Sequence, residues 1–221
     1  MPERELEKNA WSALELLATF YTVDQLLANV PDLPQIAFAG RSNVGKSSLV
    51  NALARRRKLA KVSSEPGKTR SVNLYKVVPD GFILTDLPGY GYARRGHEER
   101  KNWAVLIQKY LEKTPSLRAL ALLVDCRVPL QNSDRIMADF ALARSLPLLV
   151  VLTKADKCSL KEQSAQQALW TRISPGHAPL VVSSHTGKGI ADLRAALRDA
   201  AIGSSSSADP VTVAGDGERH A

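Results

Sequence analysis

The chain has 221 residues, of which 44% are hydrophobic and 24% charged, enough for one large folded domain with a proper core. The formal net charge is +8 and the sequence pI about 9.6, which suits an anionic partner. Residues 203–221 carry −2, so the basic character belongs to the rest of the chain. No apolar run reaches the ~18 residues of a membrane span. Two cysteines make no disulfide framework, and the charged start MPERELEKN lacks the apolar centre of a secretory signal. A reducing, cytoplasmic setting without membrane contact is expected.

In chain order, Trp11, Leu14, Leu17 and Phe20 recur at near-helical spacing, so Asn9 to Leu27 is read as a short amphipathic helix. Pro31 and Pro34 end that region. QIAFAG (35–40) is a buried strand running into a glycine-rich turn, and Lys46 to Arg57 follows as a helix. SVNLYKVV (71–78) and GFILTD (81–86) form an antiparallel hairpin around Pro79-Asp80-Gly81. Glu98 to Lys113 is helical. ALALLVDC (119–126) and PLLVVLT (147–153) are continuous apolar runs, as strands buried on both faces require. Helices are expected at Ser133–Arg144, Leu160–Arg172 and Gly189–Ala201, and a strand at PLVVSS (179–184). This alternation predicts a mostly parallel sheet with one antiparallel strand and helices on both faces. The expected division is an N-terminal helical extension (1–34), a central domain (35–202) and a disordered serine-rich tail (203–221). Cys126 and Cys158 are expected to flank different sheet elements as buried reduced thiols.

GRSNVGKSS, from Gly40 to Ser48, fits G-x-x-x-x-G-K-[ST]. The glycines allow a tight loop whose backbone N–H groups point at phosphate oxygens, while Lys46 reaches the β- and γ-phosphates and the Ser47 hydroxyl ligates Mg²⁺. The loop comprises Gly40, Arg41, Ser42, Asn43, Val44, Gly45, Lys46 and Ser47. A predicted strand precedes it and a predicted helix follows, which separates it from a chance glycine turn with a surface lysine.

Thr153-Lys154-Ala155-Asp156 follows directly on a buried strand. One carboxylate can accept both N1–H and the 2-amino group of guanine, whereas adenine offers an acceptor that Asp156 would repel. The aliphatic stem of Lys154 can lie over the base. Backbone N–H groups of Val182, Ser183 and Ser184 are candidates for the guanine 6-oxo group, although an ordinary strand-to-helix loop fits that segment too.

Asp86 ends a strand and can hold Mg²⁺ through water, and Gly89 lets a backbone N–H approach a γ-phosphate. Thr69, between the two motifs, can complete the metal shell. The metal ligands are thus Ser47 and Thr69. Lys46, Thr69 and Gly89 are expected to serve catalysis.

GRSNVGKSSLVNAL, PGKTRSVNLY, DLPGYGYA and TKAD, in this order, resemble the EngB (YihA/YsxC) family of bacterial GTP-binding proteins, over roughly Gln35 to Ala201. The resemblance implies a Ras-like P-loop domain of three layers, GTP/GDP and Mg²⁺ binding, and a role in large ribosomal subunit assembly with links to cell division and septation. Matched position by position, it places a first switch on Gly67, Lys68, Thr69, Arg70 and Ser71, and a second on Asp86, Leu87, Pro88 and Gly89. Two departures stand out: Glu65 where threonine is expected and Arg70 where glutamine is more usual. Tyr90 holds the position where many GTPases carry a water-orienting glutamine, so slow intrinsic hydrolysis is expected. Relatives with an asparagine at the position of Asn43 recruit K⁺; a loop residue bonding its own backbone is the alternative.

Arg55, Arg56, Arg57, Lys58 and Lys61 close the first helix, where its dipole favours cations. Lys68, Arg70, Arg94 and Arg95 fall in the switches, so a basic surface that changes with nucleotide suits RNA phosphates. The sequence points to a monomeric GTPase that docks on ribosomal RNA or a pre-ribosomal large subunit. The alternative is a non-ribosomal signalling switch acting on a protein effector. A phosphotransferase is disfavoured because no acceptor domain or lid insert is evident.

Overall fold

The computed structural model describes residues 13–56, 58–60, 71–90 and 97–203, with backbone alone for Val23 and 97–104. Its strands are β1 (Ala13–Phe20), β2 (Gln35–Gly40), β3 (Val72–Val78), β4 (Ile83–Asp86), β5 (Leu117–Asp125), β6 (Leu148–Thr153) and β7 (Leu180–Val181). Its helices are α1 (Val23–Ala28), α2 (Lys46–Leu53), α3 (His97–Lys113), α4 (Asn132–Ala143), α5 (Leu160–Ile173) and α6 (Ile190–Ile202).

The strands form one sheet in the order β1-β3-β4-β2-β5-β6-β7. Only β3 runs against the others, antiparallel to both β1 and β4. β2, β5 and β6 lie side by side in parallel, and both of their faces are covered. Alternation along each strand divides the core. Ile36, Phe38, Ala121 and Leu123 face α2 and α6. Ala37, Ala39, Leu120 and Leu122 face α3, α4 and α5, where Tyr110 and Trp170 are fully buried. Each such large apolar side chain contributes about 1.5–3 kcal/mol relative to exposure, so two filled faces hold the sheet between helix layers.

The expected helix over Asn9–Leu27 is corrected. Residues 13–20 form the edge strand β1, and only Val23–Ala28 is helical, capped by Thr22, whose side chain accepts from the Gln25 N–H. The cause is a β-bulge between Leu16 and Ala18 in the pairing with β3. It reverses which face the chain presents, so Leu14 enters one core layer and Phe20 the other. An uninterrupted strand would put both on the same face. The extra residue, Leu17, is half exposed, and its three-residue spacing from Leu14 and Phe20 imitates a helix.

Two other boundaries differ. The helix expected to reach Arg57 stops at Leu53. Arg55 takes a left-handed conformation (φ 51°), and the N–H groups of Arg55 and Arg56 return to the carbonyls of Ala52 and Asn51. That pairing is a Schellman ending. Arg194 of α6 also donates to the Ala52 and Leu53 carbonyls. β7 is only two residues long, because Ser183 turns its N–H to the Lys188 carbonyl. Among the described residues, no helix is long and apolar enough to cross a membrane.

Candidate nucleotide-binding site

The candidate residues converge at the carboxyl ends of β2, β4, β6 and β7, the edge at which open α/β sheets bind ligands. β2 delivers Gly40, whose backbone passes so close to β5 that a Cβ would stand 2.8 Å from the Leu123 carbonyl oxygen. The loop then uses two left-handed residues, Asn43 (φ 64°) and Gly45 (φ 106°), before α2 begins at Lys46. This path aims the N-terminus of α2 into the loop, the arrangement that binds anions.

Lys46 and Asp86 are both buried, and the ammonium lies 3.2 Å from Asp86 Oδ1. Yet that oxygen has no hydrogen-bonded partner among the described residues. The ion pair satisfies Coulomb attraction without satisfying the lone pairs. A buried carboxylate oxygen left so is the donor that a hydrated cation would use. Ser47, at the second position of α2, supplies a hydroxyl at the same end. These residues fit Mg²⁺: Ser47 and Asp86 would hold it, and it would supply positive charge against the phosphates. Gly67, Lys68, Thr69 and Arg70 lie outside the described residues, as do Glu65, Arg57, Lys61, Arg94 and Arg95; Ser71 is described and precedes β3.

The segment Thr153–Asp156 is bolted to the phosphate loop. The Thr153 hydroxyl lies 2.7 Å from the Val44 carbonyl and 3.1 Å from that of Val124. Lys154, in a left-handed conformation, donates to the Asn43 carbonyl at 2.6 Å and pairs with Asp125 at 2.9 Å. Its stem runs under Gly45, 3.7 Å from where a Cβ would sit. Asp156 accepts from the Ser183 hydroxyl at 2.6 Å, which holds its carboxyl below the ordinary carboxylate range. Ser183 Oγ in turn accepts from the N–H groups of His185 and Thr186. So the loop after β7 fixes the carboxylate that would read guanine.

Of the three backbone donors expected for the 6-oxo group, two are occupied: Val182 N–H bonds the Leu152 carbonyl and Ser183 N–H that of Lys188. Ser184 is the candidate that keeps this role.

Two further residues, Asp125 and Asp134, escaped the sequence reading. Asp125 ends β5 and takes hydrogen bonds from Arg127 and Lys154; burial pushes its pKa up, but these bonds hold it below the usual value. A carboxylate closing an apolar run was its visible signal. Ser183, expected to act through its backbone N–H, instead holds Asp156 through its hydroxyl. Asp134, in the first turn of α4, receives the Tyr90 phenol at 2.9 Å. Cys126 and Cys158 follow different strands, as expected, and both are free thiols, with Cys126 buried and Cys158 partly exposed. They adjoin each other because β5 and β6 are neighbours, and burial, with the hydrogen bond to Cys158, raises the Cys126 thiol to about 12.

A phosphate loop after the first central strand, a carboxylate at the end of β4 and a carboxylate after β6 suited to guanine are the arrangement of a P-loop GTPase. A sequence model described as a 50S ribosome-binding GTPase matches residues 35–154. The probable GTP-binding protein EngB of Nitratidesulfovibrio vulgaris is 57% identical over 198 residues, covering 90% of this chain and 91% of that protein. Its counterpart in Desulfovibrio desulfuricans is 59% identical over 178 residues, covering 80% and 87%. A crystal structure of a probable GTP-binding protein engB superposes with a TM-score of 0.62 at 21% identity, covering 75% of this chain and 97% of that one. Era bound to GDP and aluminium fluoride, from Aquifex aeolicus, gives 0.65 at 20%, covering 76% and 57%. The chain belongs to the EngB family of GTP-binding proteins.

Proposed function

We propose that this GTPase depends on Mg²⁺, turns over slowly on its own, and assists assembly of the large ribosomal subunit in its GTP state, with consequences for cell division and septation. The observation that carries the nucleotide half is the coupling of base and phosphate motifs. Lys154 and Thr153 bond the phosphate-loop carbonyls, and Ser183 fixes Asp156. Phosphate contacts fall to Gly40–Ser47, the first switch to Gly67–Ser71, the second to Asp86–Gly89, and the base to Thr153–Asp156 with Ser184, while the Ser183 hydroxyl holds Asp156. Ser47 and Thr69 would ligate Mg²⁺ directly and Asp86 through water. Residues 35–202 form the nucleotide-binding unit, which acts as a cytoplasmic monomer. K⁺ beside Asn43 is a candidate activator, because Asn43 is exposed at the loop with its backbone turned left-handed.

The ribosomal half is supported by the matching family's description, by the EngB resemblance and by the charge of +8. Arg55, Arg56 and Lys58 are all exposed beside the end of α2. Each phosphate they neutralise would release a counterion, so binding should weaken steeply with salt. The test is retention on ribosomal subunits across a salt series, with GDP or a non-hydrolysable GTP analogue. GTP-dependent, salt-sensitive retention on the large subunit is expected. Retention indifferent to nucleotide and salt would favour a protein effector instead.

A further inference from the structure

Tyr90 lies where catalytic glutamine is common in GTPases, and it is held by two backbone hydrogen bonds and one from its phenol. Its N–H donates to the Gly40 carbonyl at 3.2 Å, and its carbonyl accepts from the Ser42 N–H at 2.9 Å, so Arg41 and Tyr90 form a parallel bridge. The Ser42 hydroxyl reaches the Gly89 carbonyl at 3.4 Å. The phenol then crosses to α4 and donates to Asp134 Oδ1 at 2.9 Å.

Asp134 is 3% exposed, and its own N–H is bonded to the Gln131 carbonyl. Burying a carboxylate or a phenol without a partner is costly, so each group stabilises the buried position of the other. Tyr90 can make that bond only while residues 89 and 90 stay in register with residues 40–42. Gly89 is pressed against the loop there: a Cβ would stand 2.9 Å from the Ser42 Cα. Arg41, Ser42 and Asp134 all line one cleft of about 180 Å³ beside the loop, so the contact sits at the edge of the site rather than in the distant core.

We propose that Asp134 is a positioning residue. Through the hydrogen bond from Tyr90 it holds Gly89 against the phosphate loop, and so sets how strongly the protein prefers GTP over GDP. This rests on the reading of Asp86–Gly89 as the γ-phosphate-sensing switch. GDP, lacking that phosphate, gains nothing from a fixed Gly89 N–H, so the effect must separate the two nucleotides.

Affinities for fluorescent GDP and a non-hydrolysable GTP analogue would be measured for the full chain and its variants. Tyr90→Phe and Asp134→Ala should each lower the preference for the triphosphate about tenfold, the weight of one charge-assisted hydrogen bond. GDP affinity should stay within about twofold. The double variant should lose little more than either single one, because the pair acts as a unit. Asp134→Asn keeps an acceptor and should retain most of the preference. Should Asp134→Ala fail to fold, Tyr90→Phe, which removes one oxygen, carries the test. An unchanged ratio in Tyr90→Phe, or equal loss of both nucleotides, overturns the proposal. Gly89→Ala distinguishes the underlying reading: if it leaves triphosphate preference intact, the switch assignment itself fails, whatever Asp134 does.

Discussion

The two ends of the sheet solve the problem of buried polar groups in opposite ways. At the amino end of β2, Gln35, Thr85 and Tyr110 are all fully buried. The Tyr110 hydroxyl lies 2.8 Å from both Gln35 Oε1 and Thr85 Oγ1, and Gln35 Nε2 bonds Ser116 and the Pro31 carbonyl. The cluster closes on itself. At the carboxyl end, Lys46 and Asp86 are a buried ion pair in which one carboxylate oxygen has no hydrogen-bond partner among the described residues, and Asn43, Gly45 and Lys154 adopt left-handed backbone. A closed network stabilises the fold whatever is bound; an open one keeps its strongest donors and acceptors for a ligand. Perturbing the first should therefore change stability alone, and perturbing the second should change binding.

The largest expected effect is at the open end. Asp156→Asn removes two charge-assisted hydrogen bonds to guanine, each about 1.5–3 kcal/mol, so GTP affinity should fall at least about a hundredfold. Xanthosine triphosphate should gain, since xanthine offers an acceptor in place of the 2-amino donor. The asparagine carbonyl can still accept from Ser183, so the nucleotide-free protein should melt as before. Competition binding with both nucleotides checks this; an unaltered preference for GTP would remove Asp156 from the base site.

At the closed end the outcome should invert. Tyr110→Phe removes one donor from the buried cluster, at a cost of about 0.5–1.5 kcal/mol, because the Thr85 hydroxyl can still donate to Gln35 Oε1. A chain of this size loses roughly 2–4 °C of melting temperature for each kcal/mol. GTP and GDP affinities should not move. A matching fall in affinity would show that the two ends are mechanically coupled through β2 and β4, and the contrast between them would have to be abandoned.

The open end was the more legible of the two in the sequence. Gly40, Gly45, Lys46, Asp86 and Asp156 serve local chemistry at fixed spacing, and the continuous apolar runs of β5 and β6 announce their own burial. The single reversed strand, β3, followed from the turn at Pro79-Asp80-Gly81, whose Gly81 N–H returns to the Val77 carbonyl. What stayed hidden depends on pairing between distant segments. The bulge at Leu17 exists only against β3, and it turned a strand into a helical pattern. Asp134 and Tyr90 are 44 residues apart, and nothing local to Asp134 distinguishes it from a solvated residue in a helix's first turn. The Gln35–Tyr110 contact is equally non-local, its partners 75 positions apart in the chain.

The smallest expected effect lies on α4 itself, one turn beyond Asp134. Arg135 and Asp139 form an i,i+4 pair at 2.8 Å, with side chains 49% and 51% exposed. The arginine precedes the aspartate, the less favourable order with respect to the helix dipole. Water screens the charges, and ordering two long side chains costs entropy. Asp139→Ala should therefore change stability by less than about 0.5 kcal/mol, and less still in high salt. Melting curves at low and high ionic strength, beside those of Asp134→Asn, would compare two carboxylates on one helix. Asp139 should leave the triphosphate preference untouched, because it faces solvent while Asp134 faces Tyr90. A change in that preference on losing Asp139 would mean that α4 responds as a rigid unit, and that the buried hydrogen bond is not what ties it to the phosphate loop.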